Sequence, residues 1–342
     1  EQHGGRYFYL HNNGLQEPRV LYTTFPGFEN RKVLLDPNTF AKDGTTSLAG
    51  YEISDDGKLL AYGISQAGSD WREWKVRDVA SGRDLDDHLK WIKFSGVSWL
   101  PDGSGFYYSR YAEPREDSRL EDTNYYQKLY FHRLGDPQSK DRLVYERPDQ
   151  KEWGFSPHVT DDGRYLVITV WRGSERKNDV FVQDLASDDA PVVQLIRSFR
   201  GAYDFVTSQR SRFWFKTDHG ADLGRLIEVN VREAVAAAKA GGDEEKDPSE
   251  EKKKDAPEVH EKIVIPEAQH VLNSVHRVGD ELFATYLEDA HSVVRLFDLE
   301  GDSLGTLELP GLGTVSGISG RASDEEAYYG FTSFTAPNAI YR

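Results

Sequence analysis

One short pattern recurs at places that only a repeating β architecture accommodates. Ser54-Asp55-Asp56-Gly57, Pro101-Asp102-Gly103 and Thr160-Asp161-Asp162-Gly163 each stand before an apolar, aromatic-rich run, LLAYGIS, FYYSRY and YLVITVW respectively. Asp side chains cap the amides of a tight turn and Gly takes the positive φ that closes it, so each pattern reads as a hairpin between two strands. About seven such units follow one another, each with about four short strands, at a period of roughly 40–60 residues. That repetition predicts an all-β, seven-bladed β-propeller of four-stranded antiparallel sheets. The end blades are expected to be incomplete: the first copy lacks a visible innermost strand and the seventh an outermost one. Because unpaired sheet edges are a liability, the polypeptide is expected to continue beyond both ends.

Composition bounds the partners. The chain has 342 residues and a formal net charge of −16, which argues against a nucleic-acid backbone or an anionic membrane surface. Aromatic residues make up 12% of it, as suits sheets packed face to face. No apolar run approaches the ~18 residues of a membrane helix, and the first 30 residues carry no signal-peptide pattern. The cytoplasm is the default expectation, with the periplasm as the alternative. Cysteine is absent, which excludes disulfides, thiolate catalysis and cysteine zinc sites. Methionine is absent too, even at position 1, so the chain reads as a fragment, a processed product or an edited sequence.

Two stretches break the repeat. In the fifth copy, Arg232–Lys262 begins Ala-rich, which predicts a short helix ended by Gly241-Gly242. Its charged remainder reads as a disordered, solvated insertion, with a binding tail as the alternative. Ala112–Tyr126 is long for a propeller loop, and it is as readily functional as structural.

The search for chemistry within the chain comes back thin. No G-x-S-x-G elbow, phosphate loop, dinucleotide turn or H-E-x-x-H helix occurs. The paired acids Asp55-Asp56, Asp161-Asp162 and Asp86-Asp87 invite an acid–base reading, but the turn role explains them more simply. The ten histidines are scattered. His270 and His276 share a face of one predicted strand, and metal ligation needs three or four converging ligands. No metal, no cofactor and no catalytic residue are assigned to the chain.

Seven ordered segments carry a resemblance. GGRYFYLHNNGLQEPRVLY (Gly4–Tyr22), LLDPN, GSDWREWKVRDVASG, KFSGVSWLPDGSGFYYSRY, YYQKLYFHRLG, DDGRYLVITVWRG and FTSFTAPNAIYR (Phe331–Arg342) closely resemble the propeller segment of the prolyl oligopeptidase (prolyl endopeptidase) family. The bacterial members are nearest, on WREW and VWRG. The resemblance covers nearly the whole chain apart from the insertion at 232–262. It implies one propeller domain over 1–342 that caps an α/β-hydrolase domain of the same polypeptide. That catalytic domain, absent from this sequence, carries a Ser-Asp-His triad and cleaves after proline in short peptides. The propeller is implied to be the non-catalytic part, which excludes folded proteins, gates entry and completes the substrate pocket. The alternative is a free-standing propeller that serves as a binding module.

Site residues follow from the matching motifs. Phe94 in KFSG matches an aromatic lining the pocket for the residue two before the scissile proline; the other reading is a core Phe on an inner strand. Asp70 in GSDW matches an acid near the arginine that holds the substrate backbone. Arg172 in VWRG lies beside a family interface arginine. Ser174 stands where animal members have Cys, as does Gly96, and Trp153-Gly154 occupies the place of a pocket methionine. Ala112–Tyr126, with Glu113, Arg115, Asp117 and Asn124, corresponds to a flexible loop implied to gate substrate entry.

Overall fold

The computed structural model describes residues 1–15, 18–41, 44–114, 124–187, 190–240 and 259–342. Along the chain, short antiparallel strands pair in sequence order, each with the next, so every sheet is a meander. Blade 1 comprises Gln2–His3, Arg6–His11, Val20–Thr24 and Lys32–Leu35. Blade 2 comprises Thr46–Ile53, Leu59–Gln66, Arg72–Asp78 and Asp84–Ile92, and blade 3 Val97–Trp99, Gly105–Arg110, Lys128–Arg133 and Arg142–Tyr145. Blade 4 is written over Trp153–Val159, Tyr165–Arg172, Asp179–Asp184 and Val192–Ile196. Blade 5 comprises Tyr203–Gln209, Arg212–Thr217, Arg225–Asn230 and Glu261–Ile265, and blade 6 Val271–Val278, Glu281–Glu288, His291–Asp298 and Ser303–Thr306. Blade 7 has three strands, Thr314–Ser319, Tyr328–Thr332 and Ala339–Tyr341. This is a seven-bladed β-propeller of small antiparallel sheets.

One expectation about the ends needs correcting. Blade 1 does have a first strand, the two-residue Gln2–His3, which pairs with Tyr7 and Arg6. Two backbone pairings need no apolar pattern, so the sequence shows no sign of it.

The chain divides into two compact units, Glu1–Glu175 and Arg176–Arg342. In the first, the core is laid down between successive blades. Phe8, Leu21 and Leu34 of blade 1 pack with Ile53, Leu60 and Tyr62 of blade 2. Trp74, Val76 and Leu89 of blade 2 pack in turn with Trp99, Phe106 and Tyr108 of blade 3. The second unit repeats the scheme. Trp214, Leu226 and Ile265 of blade 5 meet Leu272, Leu282 and Tyr286 of blade 6, and Val294 of blade 6 meets Val315, Tyr329 and Phe331 of blade 7. Alternating strand residues supply both faces of each sheet, so one sheet's apolar side chains cover the next sheet's.

The acidic turns are what the sequence suggests. Asp56 Oδ1 accepts from the Lys58 amide at 3.0 Å and from the Ser54 hydroxyl at 2.8 Å, and Gly57 takes φ +68°. Asp162 does the same for Arg164 and Thr160, and Asp102 for the Ser104 amide. In blade 5 the predicted helix forms over Val231–Ala240, immediately before Gly241. Asn230 Oδ1 accepts from the Arg232 amide in its first turn, and Val231 and Val235 are buried one turn apart. The insertion's far end enters regular structure: Glu261 and Lys262 open the last strand of the blade. The charged stretch expected to be disordered, 241–258, lies outside the described residues, as do Arg115 and Asp117.

Candidate functional site

In a meander, alternate connections emerge at the same end of a sheet. The acidic turns join first to second strands and so mark one end of blades 2, 3 and 4. The second-to-third and blade-to-blade connections mark the other end. All the candidate positions among the described residues fall on that second end. Asp70 lies between strands two and three of blade 2, and Phe94 between blades 2 and 3. Glu113 and Asn124 lie between strands two and three of blade 3. Trp153 opens blade 4, Arg172 ends its second strand, and Ser174 follows. The sequence alone never ordered these residues by face.

Phe94 is not a core residue on a strand. It sits in the connection before Val97–Trp99, 43% exposed, with φ +54°. Its ring meets that of Trp171 edge-on, 5.9 Å between centroids at 87°. Trp171 can lie there because its partner across the ladder is Gly154: a Cβ at that position would stand 1.9 Å from the indole. Successive residues on a strand project to opposite faces, so Trp153 points away from the wall made by Phe94 and Trp171. It is 9% exposed, and the Arg147 guanidinium lies 4.6 Å over its ring.

Beside Phe94, Lys93 is a buried cation, 8% exposed. Its ammonium lies 4.1 Å over the Trp71 ring and donates to Asn124 Oδ1 at 3.1 Å. Burial pushes its pKa down, and the charge of nearby Asp70 works against that shift. Trp71 in turn meets Trp91 and Tyr111 edge-on at 6.0 and 6.1 Å. The Tyr111 amide donates to Trp91 O at 3.0 Å, joining blade 3 to blade 2. Burial raises the Tyr111 phenol above its ordinary range. Four non-glycine residues of blades 2 and 3 near this end, Ala67, Trp91, Phe94 and Tyr126, have φ between +51° and +65°. Such concentrations of left-handed backbone cluster at ligand clamps and active sites.

The structure therefore brings together Asp70, Lys93, Phe94, Asn124 and the aromatics Trp71 and Trp171. Arg172 stands at the rim, where it forms a bidentate pair with Glu175 at 3.1 and 2.8 Å. Ser174 and Glu113 are exposed nearby in the chain, outside the hydrogen bonds that tie that cluster together. Lys93, Trp171 and Tyr111 are what sequence reasoning passed over. Their signal was aromatic and basic residues crowded at strand ends, a pattern that ordinary packing also produces.

The reading of Asp86-Asp87 as turn acids is corrected. Both lie inside the strand Asp84–Ile92, and Asp87 is buried. His132, fully buried, donates from Nε2 to Asp87 Oδ1 at 3.0 Å and from Nδ1 to Asp141 Oδ1 at 2.7 Å. The Tyr108 hydroxyl donates to Asp141 Oδ2 at 2.5 Å, and the Gly135 amide to Asp87 Oδ1 at 2.6 Å. Burial works against the imidazolium, but the hydrogen bonds from His132 to Asp141 and Asp87 prevail and raise its pKa to about 9. This network ties the outer strand of blade 2 to blade 3. It lies in the protein interior and is a structural clamp. His276 donates from Nε2 to Gly320 O at 2.9 Å, and no group of three potential metal ligands occurs among the described residues.

Comparison with known proteins agrees with this architecture. The profile of the prolyl oligopeptidase N-terminal β-propeller domain matches residues 1–342. A prolyl endopeptidase of Elizabethkingia miricola is 33% identical over 339 residues, 99% of this chain and 44% of that protein. Prolyl oligopeptidase A of Galerina marginata is 30% identical over 369 aligned residues, 46% of its own length. Among solved structures, one from a study of inter-domain dynamics in two prolyl endopeptidases superposes with a TM-score of 0.85 at 36% identity, over 99% of this chain and 45% of that one. The chain thus spans somewhat under half the length of the relatives it matches. By its blades and by a match along its whole length, the chain belongs to the prolyl oligopeptidase N-terminal β-propeller family.

Proposed function

We propose that this chain is the non-catalytic propeller of a proline-specific peptidase, and that it gates and completes a substrate pocket whose bond-breaking groups lie in a hydrolase domain of the same polypeptide. The observation that carries the reading is the family match along residues 1–342, together with relatives named prolyl endopeptidase of which the chain spans only 44%. The end of blades 2–4 bearing Phe94, Trp171 and Asp70 is then the side that meets the peptide. Phe94 supplies an apolar wall for a side chain upstream of the scissile proline. Asp70 and Lys93 set the local charge, and Asp70 orients a cation contributed from the hydrolase side. None of these groups makes or breaks a bond. A pocket divided between two domains opens by hinging, and it excludes water once closed, which strengthens the electrostatic stabilisation of an acyl-transfer transition state. Short peptides are admitted and folded proteins are not, because only an extended chain reaches such a cleft.

The test is direct. Purified chain 1–342 releases no chromophore from a proline-linked chromogenic peptide, whereas the full polypeptide does. Turnover by the pure isolated chain, or none by the full polypeptide, refutes the reading.

A further inference from the structure

Gln127 ends the long connection that leaves the second strand of blade 3, and it is 1% exposed. A buried primary amide must place both its donor and its acceptor side. Here Nε2 donates to Lys93 O at 2.9 Å and Oε1 accepts from the Phe155 amide at 2.7 Å. One side chain thereby links the connection between blades 2 and 3 to the first strand of blade 4. Lys93 O belongs to the peptide group that leads into Phe94, so its orientation fixes the φ of Phe94. That φ is +54°, a region bulky residues occupy only where their surroundings hold them. The Lys93 side chain is pinned as well, over Trp71 and against Asn124. Phe155 follows Gly154, the residue whose missing Cβ admits Trp171. Gln127 therefore grips both halves of the aromatic wall, the backbone before Phe94 and the strand beneath Trp171.

We infer that Gln127 is a positioning residue that holds Phe94 against Trp171 and so sets the depth of the apolar subsite. Its consequence for peptide cleavage rests on the proposed function; the positioning itself does not.

Two readouts in the full polypeptide separate these. With 4-fluorophenylalanine placed only at 94, the fluorine resonance is displaced by the Trp171 ring, as a Trp171→Leu control establishes. Gln127→Leu moves that resonance toward the control value. Gln127→Glu keeps the acceptor for Phe155 and loses the donor to Lys93. It is expected to move the resonance the same way, and it keeps the experiment readable where the leucine variant does not fold. In kinetics, either variant lowers kcat/KM about ten-fold for peptides long enough to reach Phe94, the size expected for one weakened apolar contact. Neither adds to the loss caused by Phe94→Ala. A resonance unmoved in both variants overturns the inference, and so does a loss equal for short and long peptides or additive with Phe94→Ala. Should the unaltered full polypeptide cleave no proline peptide, the proposed function falls and the fluorine measurement still decides the role of Gln127.

Discussion

Phe94 shows how a single residue can carry a role that its type conceals. The Cβ of an L-residue in the left-handed region crowds the backbone, at a cost of roughly 1–2 kcal/mol that glycine avoids. Phe94→Gly is therefore expected to leave the isolated chain more stable than Phe94→Ala, by about 1 kcal/mol in urea unfolding. Equal midpoints and slopes for the two variants would contradict the strain at +54°. Gly154 is the converse case. Gly154→Ala puts a methyl group 1.9 Å from the Trp171 indole, and overpacking of this kind destabilises by roughly 1–3 kcal/mol. The same unfolding assay checks it, with an unchanged midpoint as the contrary result. Neither conformation was legible beforehand. Left-handed backbone announces itself through Gly or Asn, and Phe in KFSG announces a buried strand. Only the family resemblance singled out Phe94, and only the structure revealed the exposed, edge-on ring.

Among the elements, the acidic-glycine turns were legible because their chemistry is local: donor and acceptor lie two residues apart. Asp87 was not, because its partner His132 lies 45 residues away and on another blade. The clamp has a pH signature. The pKa of His132 is raised from 6.5 to about 9 in the folded chain. Its contribution, ~3 kcal/mol from linkage, is fully present below pH 6.5 and is lost as pH rises through 9. Asp87 shifts the other way: its pKa is lowered despite burial, because His132 and the Gly135 amide bond to the carboxylate. Its contribution holds above the ordinary value of 3.8 and disappears as pH falls through the depressed one. Urea midpoints measured between pH 6 and 10 are expected to fall on the alkaline side, and His132→Asn is expected to flatten that limb. An unaltered alkaline limb in the variant would assign the pH dependence to other groups. The clamp joins blades 2 and 3, whose far ends carry Lys93, Phe94 and Tyr111. Loosening it is thus also expected to weaken the site.

Over the full chain, repetition made the architecture readable. Four-strand units, turn residues at a fixed place and apolar runs on both faces of each sheet agree with one another, and agreement across levels is what specifies a fold. The brief first strand Gln2–His3 escaped notice because two residues carry no period. The sequence was silent on which residues share an end of the blades, since that depends on counting connections correctly through every sheet. The functional reading turns on the end bearing Phe94, and not the end bearing the acidic turns, meeting the peptide. A photoreactive benzoylphenylalanine placed at 94 or at 102 in the full polypeptide tests it, with a labelled proline-containing peptide as ligand. The peptide is expected to be captured at 94, with the capture suppressed by unlabelled peptide, and not to be captured at 102. Capture at 102 with none at 94 would overturn the assignment.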